Sequence, residues 1–172
     1  PEESICQFQK PLGNTLEQAR KIKKIVTDKK IIACVNLQLK FSPMMLALKD
    51  AIDKKIIKNI NEIEVSLSVG TPWHLWPFLE TLDNVELPLH SIHYIDWIRS
   101  ILGEPSSVHC KSSKHPKFPK LADARSSIIL DYGKNIRCCL SLNHTHDNSV
   151  HGKKYSHAYA RVEGDKGAAY IK

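Results

Sequence analysis

Glycine is scarce in this chain. Its 172 residues include seven, and none falls in a G-x-G-x-x-G or G-x-x-x-x-G-K-[ST] pattern. Such loops need closely spaced glycines to bring backbone N–H groups against a phosphate, so no phosphate cradle of either kind is encoded. Aromatics are also few, at 7%. No apolar run is long enough to span a membrane, and Pro1-Glu2-Glu3 does not open a signal peptide. The five cysteines (Cys6, Cys34, Cys110, Cys138, Cys139) lack C-x-x-C spacing. An odd count without that spacing points to reduced thiols and a cytoplasmic protein rather than a disulfide framework.

The remaining composition is globular: 42% hydrophobic and 25% charged, in a chain long enough to bury a core unaided. Lys+Arg number 25 against 18 Asp+Glu, a balance of +7. The lysines concentrate in residues 21–30 and 111–120 without interleaved aromatics. They read as solvated faces, and neither a nucleic-acid nor a membrane partner is expected.

A short apolar stretch from Ser4 to Phe8 should be a strand ended by Pro11, which has no N–H to give a ladder. Asn14 or Thr15 can cap a helix, with Glu17 or Gln18 three residues on; Leu16, Ala19, Ile22 and Val26 recur at helical spacing up to Thr27-Asp28. Ile31 to Phe41 reads as a second strand, with Val35, Leu37 and Leu39 alternating against Asn36, Gln38 and Lys40. Strand, helix and strand make a βαβ unit, which calls for a parallel pair. One such unit cannot bury its own sheet, so it reads as the edge of a larger one.

Ser42-Pro43 opens a helix through Asp53 with Met44, Leu48, Ala51 and Ile52 inward. Ile63, Val65, Leu67 and Val69 alternate along a half-buried strand that ends at Gly70. A helix is expected from Leu89 to Leu102, closed by Gly103. Short strands follow at 108–110, 126–131, 136–146, 157–163 and 168–171, with Tyr132-Gly133-Lys134-Asn135 as a hairpin turn. Helices early and an antiparallel sheet late describe an α+β domain.

Three places can carry chemistry. Lys10 stands between a strand of the parallel unit and a helix N-terminus, the edge where open α/β sheets bind ligands; the alternative is a solvated lysine. His90, His93 and Trp97 share a helix face, so two imidazoles can point into one cleft, and Asp96 can orient His93 or merely sit beside it. Asn143-His144-Thr145-His146 alternates on a strand with His151 and His157 near in sequence. Without H-E-x-x-H or ordered Cys/His spacing, that group reads as substrate contacts or a wet sheet end, and no metal is assigned. The Trp73-His74-Leu75-Trp76 loop can stack on a sugar ring, cap the cleft or pack into the core.

Taken in order, these pieces resemble a family. Lys10-Pro11 after a strand, the following helix and strand, and Phe41-Ser42-Pro43 resemble the E-K-P region of the Gfo/Idh/MocA oxidoreductases (glucose–fructose oxidoreductase, inositol dehydrogenase and relatives). The run from His93 to Pro105 resembles their H-x-x-D helix with its L-G-x-P end, and Glu163 to Ala168 their E-G-x-x-G-A turn. The resemblance implies residues 1–40 as the last strand–helix–strand of a Rossmann domain, its front half lying outside this sequence. Residues 41–172 would be a substrate-binding domain of the dihydrodipicolinate-reductase-like kind, a predominantly antiparallel open-faced sheet with helices on one side.

It further implies NAD(P)-dependent hydride transfer at a carbinol carbon of a sugar, cyclitol or related polyol, and a homo-oligomer formed through the open sheet face. Lys10 matches the family lysine, expected at the reacting hydroxyl and, with Pro11, at the nicotinamide side. His93 matches the family histidine and would accept the hydroxyl proton. Candidate substrate contacts are Asn36, Lys40, Trp73, His90, Asn143 and His144. Gln9 stands where the family has glutamate, Leu89 where an aspartate precedes the histidine by four, and Lys40 where an arginine is common. Those departures leave room for a non-catalytic sugar-binding or assembly module.

Overall fold

The computed structural model describes residues 5–146 and 156–172, so His151 lies outside the described residues. The chain divides into two compact units, Pro1–Gln38 and Leu39–Lys172.

In the first unit, β1 (Ile5–Phe8) and β2 (Ile32–Val35) pair in parallel through α1 (Leu16–Asp28), with Ile5 opposite Ile32 and Phe8 opposite Val35. Thr15 caps α1: its Oγ1 accepts the Gln18 N–H at 3.2 Å, while Asn14 N–H donates to Gln18 Oε1 at 2.9 Å. The Thr15–Gln18 bond is the cap half of the capping box expected from the spacing, while the return bond reaches Asn14, one residue before the cap.

The expected strand over Ile31–Phe41 is much shorter. The ladder ends at Val35, Asn36 N–H makes one more bond to Phe8 O at 2.8 Å, and Gln38–Phe41 winds into a 3-10 turn. Alternation along a strand needs a neighbour to pair with, and β1 has already stopped at Phe8. Lys40 therefore sits in a turn, not at a strand end.

The second unit holds α2 (Pro43–Asp53), β3 (Ile60–Ser68), α3 (Ile92–Leu102), β4 (Ser107–Ser113), β5 (Arg125–Asp131), β6 (Arg137–Asn143), β7 (His157–Gly164) and β8 (Gly167–Ile171). Its six-stranded sheet runs β4-β5-β6-β3-β7-β8, with β3 and β6 parallel and every other pair antiparallel. One face is apolar by strict alternation: Ile63 and Val65 of β3, Ile128 and Leu130 of β5, Leu140 and Leu142 of β6 are buried against Met45 and Leu48 of α2 and Trp97 and Ile98 of α3. This is the open-faced α+β domain read from the sequence, with helices on one side.

Two details differ from expectation. Met45, not Met44, joins the core. Residues 45, 48 and 52 lie on one stripe of the helix, and residue 44 is about 100° round from 45. The helix expected from Leu89 begins at Ile92, because Leu87–Ser91 forms a wider π-turn. Pro88, without an N–H, favours irregular winding there. Gly103 closes α3 with φ 79°, a conformation glycine adopts without strain.

The opposite face is polar at its centre. Arg161 pairs with Glu62 at 2.9 Å and with Glu163, and Tyr159 O–H donates to Glu64 at 2.7 Å. Toward the two edges, Ile129 and Tyr170 are exposed. No helix among the described residues is long and apolar enough to cross a membrane.

Candidate active site

Because β3 and β6 run in parallel, both chains leave the sheet at the same end. The segments beyond them stay hydrogen-bonded: Val69 N–H to Asn143 O at 2.9 Å, Thr71 N–H to His144 O at 3.3 Å, His146 N–H to Val69 O at 3.1 Å. The expected strand 136–146 therefore stops at Asn143, and His144 to His146 form a bent segment held by an isolated Gly70–Thr145 bridge. Asn143 is spent on that bend, its Oδ1 accepting both the N–H and the hydroxyl of Thr145 at 3.0 and 2.7 Å.

Trp73 is brought here by the 3-10 turn Trp73–Leu75. Its indole N–H donates to His144 O at 2.9 Å, and the ring is buried with Leu79, Val85 and Leu121. Of the roles open to it, the indole takes core packing, and its edge meets His90 at 5.7 Å and 71°. A cleft of ≈ 810 Å³ opens beside it, lined by His74, Lys117, Phe118 and His146 among others.

At the centre lies Glu86, with no exposed surface. Its backbone N–H bonds to Asp123 O at 2.9 Å, which fixes the start of the π-turn. Its Oε2 is 2.6 Å from His144 Nδ1 and 3.6 Å from His90 Nδ1, while Oε1 accepts from Ser91 Oγ at 3.2 Å. The His90 and His144 rings stack with centroids 3.6 Å apart and planes 15° from parallel. Burial alone would push the Glu86 carboxyl up; the hydrogen bond from His144, the His90 imidazole close by, and the charge of the two rings outweigh it and hold the carboxyl below the ordinary glutamate range.

Glu86 was not legible as a site residue from composition or motif. The signal available was its spacing, four residues before His90, which puts both side chains on one side of a helical turn. His93, 8% exposed, follows one turn later on α3 and is buried with Trp97 and Ile98. Asp96 has the Lys40 ammonium as its ion partner at 2.9 Å. Lys40, a candidate substrate contact, thus spends its charge on the neighbouring carboxylate.

In the first unit, half-buried Lys10 lies two residues beyond the β1 end and precedes α1. Asn36 follows the β2 end, its Nδ2 donating to Gln9 Oε1 at 3.5 Å. Gln9, Lys10 and Asn36 therefore stand together at the carboxyl edge of the parallel pair, where ligands of α/β sheets bind.

No protein-family model and no curated protein matches this sequence. Solved structures do. An oxidoreductase from Agrobacterium radiobacter, solved with NAD+, L-tartaric acid and magnesium, superposes with TM-score 0.84 at 17% identity, over 96% of this chain and 48% of its own. The chain has the fold of the Gfo/Idh/MocA oxidoreductases. A myo-inositol dehydrogenase from Corynebacterium glutamicum gives TM-score 0.78 at 14% identity, over 99% of this chain and 49% of that one. An inositol dehydrogenase homologue from Azotobacter vinelandii, solved with NADH and myo-inositol, gives 0.77 at 14%, over 95% and 43%. This chain therefore spans about half the length of the Gfo/Idh/MocA structures it matches, and its six-stranded unit matches their C-terminal domain.

Proposed function

We propose that this chain is the substrate-side portion of an NAD(P)-dependent oxidoreductase that oxidises a hydroxyl-bearing carbon of a sugar, cyclitol or related polyol. Residues 1–40 supply the last strand–helix–strand of a nucleotide-binding domain and residues 41–172 the substrate domain. The observation that carries this reading is the likeness of 95–99% of the chain to oxidoreductase structures, two of them solved with a nicotinamide cofactor.

The residues present fit one end of such a cofactor. Lys10, Pro11 and Asn36 stand at the carboxyl edge of parallel strands, whereas no glycine-rich phosphate cradle is among these residues. When bound, the nicotinamide supplies a hydride acceptor. The chain's own part is to hold the hydroxyl and take its proton. The Lys10 ammonium donates a hydrogen bond to the hydroxyl oxygen and favours negative charge as it develops. The His93 imidazole, in its neutral form, accepts the proton. His90 and His144 serve as polar contacts for further hydroxyls, and the open sheet face joins copies of the chain.

Turnover of the intact protein with NAD+ or NADP+ across a panel of polyols and aldoses tests this reading. His93→Ala should lower kcat by roughly 10²–10⁴-fold while substrate binding is largely kept. Absence of nicotinamide reduction with every polyol would overturn it in favour of a non-catalytic sugar-binding module, and unchanged kcat in His93→Ala would overturn the role of His93 as proton acceptor. Leu89 favours that second reading, since an apolar side chain packed against the Trp73 cluster stands where the family has an aspartate.

A further inference from the structure

We propose that Glu86 is a positioning residue that keeps a proton on the stacked His90–His144 pair, making this pair a second acid–base locus beside His93. The geometry comes first. A carboxylate is an acceptor only, so at 2.6 Å it fixes the hydrogen of His144 on Nδ1 and leaves Nε2 as the ring's acceptor when the ring is neutral. A carboxylate without exposed surface is costly unless paired, and among the described residues the groups facing it are few. They are His144 beyond β6, His90 and Ser91 of the π-turn, and Tyr94 of α3, whose hydroxyl is pushed up by burial and by the Glu86 charge. Ser126 of β5 reaches the carboxylate only through Ser91, at 3.1 Å.

The stack then sets the charge. Two imidazolium rings face to face at 3.6 Å repel each other, whereas one imidazolium over one neutral ring does not. One carboxylate with one shared proton on two rings is neutral as a group, the state a buried site tolerates. His144 is almost wholly buried, but the His90 side chain is 26% exposed, so His90 is the ring through which the proton exchanges with water.

The same three residues place donor atoms within 4.8 Å of one another, as a divalent cation would require. Their ring orientation favours a proton instead. An ion about 2.0–2.1 Å from both nitrogens and in both ring planes would hold the ring centres roughly 5 Å apart. Here nearly parallel rings are 3.6 Å apart, and both Nδ1 atoms face one carboxylate oxygen.

The catalytic role rests on the oxidoreductase reading, whereas the proton-holding does not. Side-chain NMR of the intact protein tests the latter directly. The expected result is a His144 hydrogen on Nδ1, and a Glu86 carboxyl titration that moves upward by about one pH unit or more in His144→Gln or in the more exposed His90→Gln. A Glu86 titration indifferent to both variants, or stoichiometric Co2+ binding with tetrahedral visible absorption, overturns the proposal.

In turnover, Glu86→Gln should lower kcat more than it raises KM and shift the pH profile, with His93 intact. If the NMR result holds but turnover and its pH profile are unchanged in Glu86→Gln and His90→Gln, the positioning role is overturned. If the intact protein oxidises no polyol, the oxidoreductase reading and the catalytic role fall together, while the proton-holding group stands on its NMR signature.

Discussion

The two units spend their hydrophobic residues differently. In Leu39–Lys172, Ile63, Ile98 and Val162 are 0% exposed, whereas in Pro1–Gln38 Ile5 is 75% and Leu16 65% exposed and no residue of α1 is fully buried. The larger unit closes its own core. The smaller one has two four-residue strands and a 13-residue helix, a size at which local propensity and capping are marginal without further packing. The lesson is that the same kind of apolar pattern carries different energetic weight in the two units.

Substitutions can sharpen or break that contrast. Trp97→Ala, which empties a site 1% exposed, should cost about 3–5 kcal/mol in urea unfolding, while Val26→Ala on α1 costs about 1 kcal/mol or less. Equal costs would erase the distinction. Gly164→Ala should cost about 1–3 kcal/mol, because a Cβ there would meet Lys58 O at 2.3 Å and backbone must move. Loss of the Thr15 cap in Thr15→Ala should cost about 1 kcal/mol by the same measurement, a large share of what holds α1. Lys24→Ala, which removes an exposed pair with Asp28, should change stability by about 0.5 kcal/mol or less.

Acid provides a separate probe of the larger unit. The folded Glu86 carboxyl lies below its unfolded value, so its contribution is present above the ordinary glutamate pKa and lost as pH falls through the lowered one. Thermal melting of the wild type should therefore fall more steeply below pH about 4 than that of Glu86→Gln. Parallel curves would show that the carboxylate adds nothing specific to the folded state.

Much of the fold could be read from pattern. Ile63, Val65 and Leu67 alternate because one sheet face is buried, and the period survives in the sequence. Ends of elements were less legible, since a strand lasts only as long as its neighbour: Leu37 and Leu39 kept the alternation after β1 had run out. The site was legible in part. His90, His93 and His144 stood out as imidazoles, but Glu86 meets His144 across a separation of 58 residues, a relation created by topology and visible in no local motif.

The parallel β3–β6 pair has a consequence for how this molecule can diversify. Since the segments after Ser68 and Asn143 are stitched together rung by rung, neither can be lengthened or redrawn alone without unpairing the other. Changes at this end should therefore arrive as matched edits in residues 69–71 and 144–146, inherited as one cassette. Engineering of this end would have to exchange both stretches at once, leaving the sheet beneath as a fixed chassis.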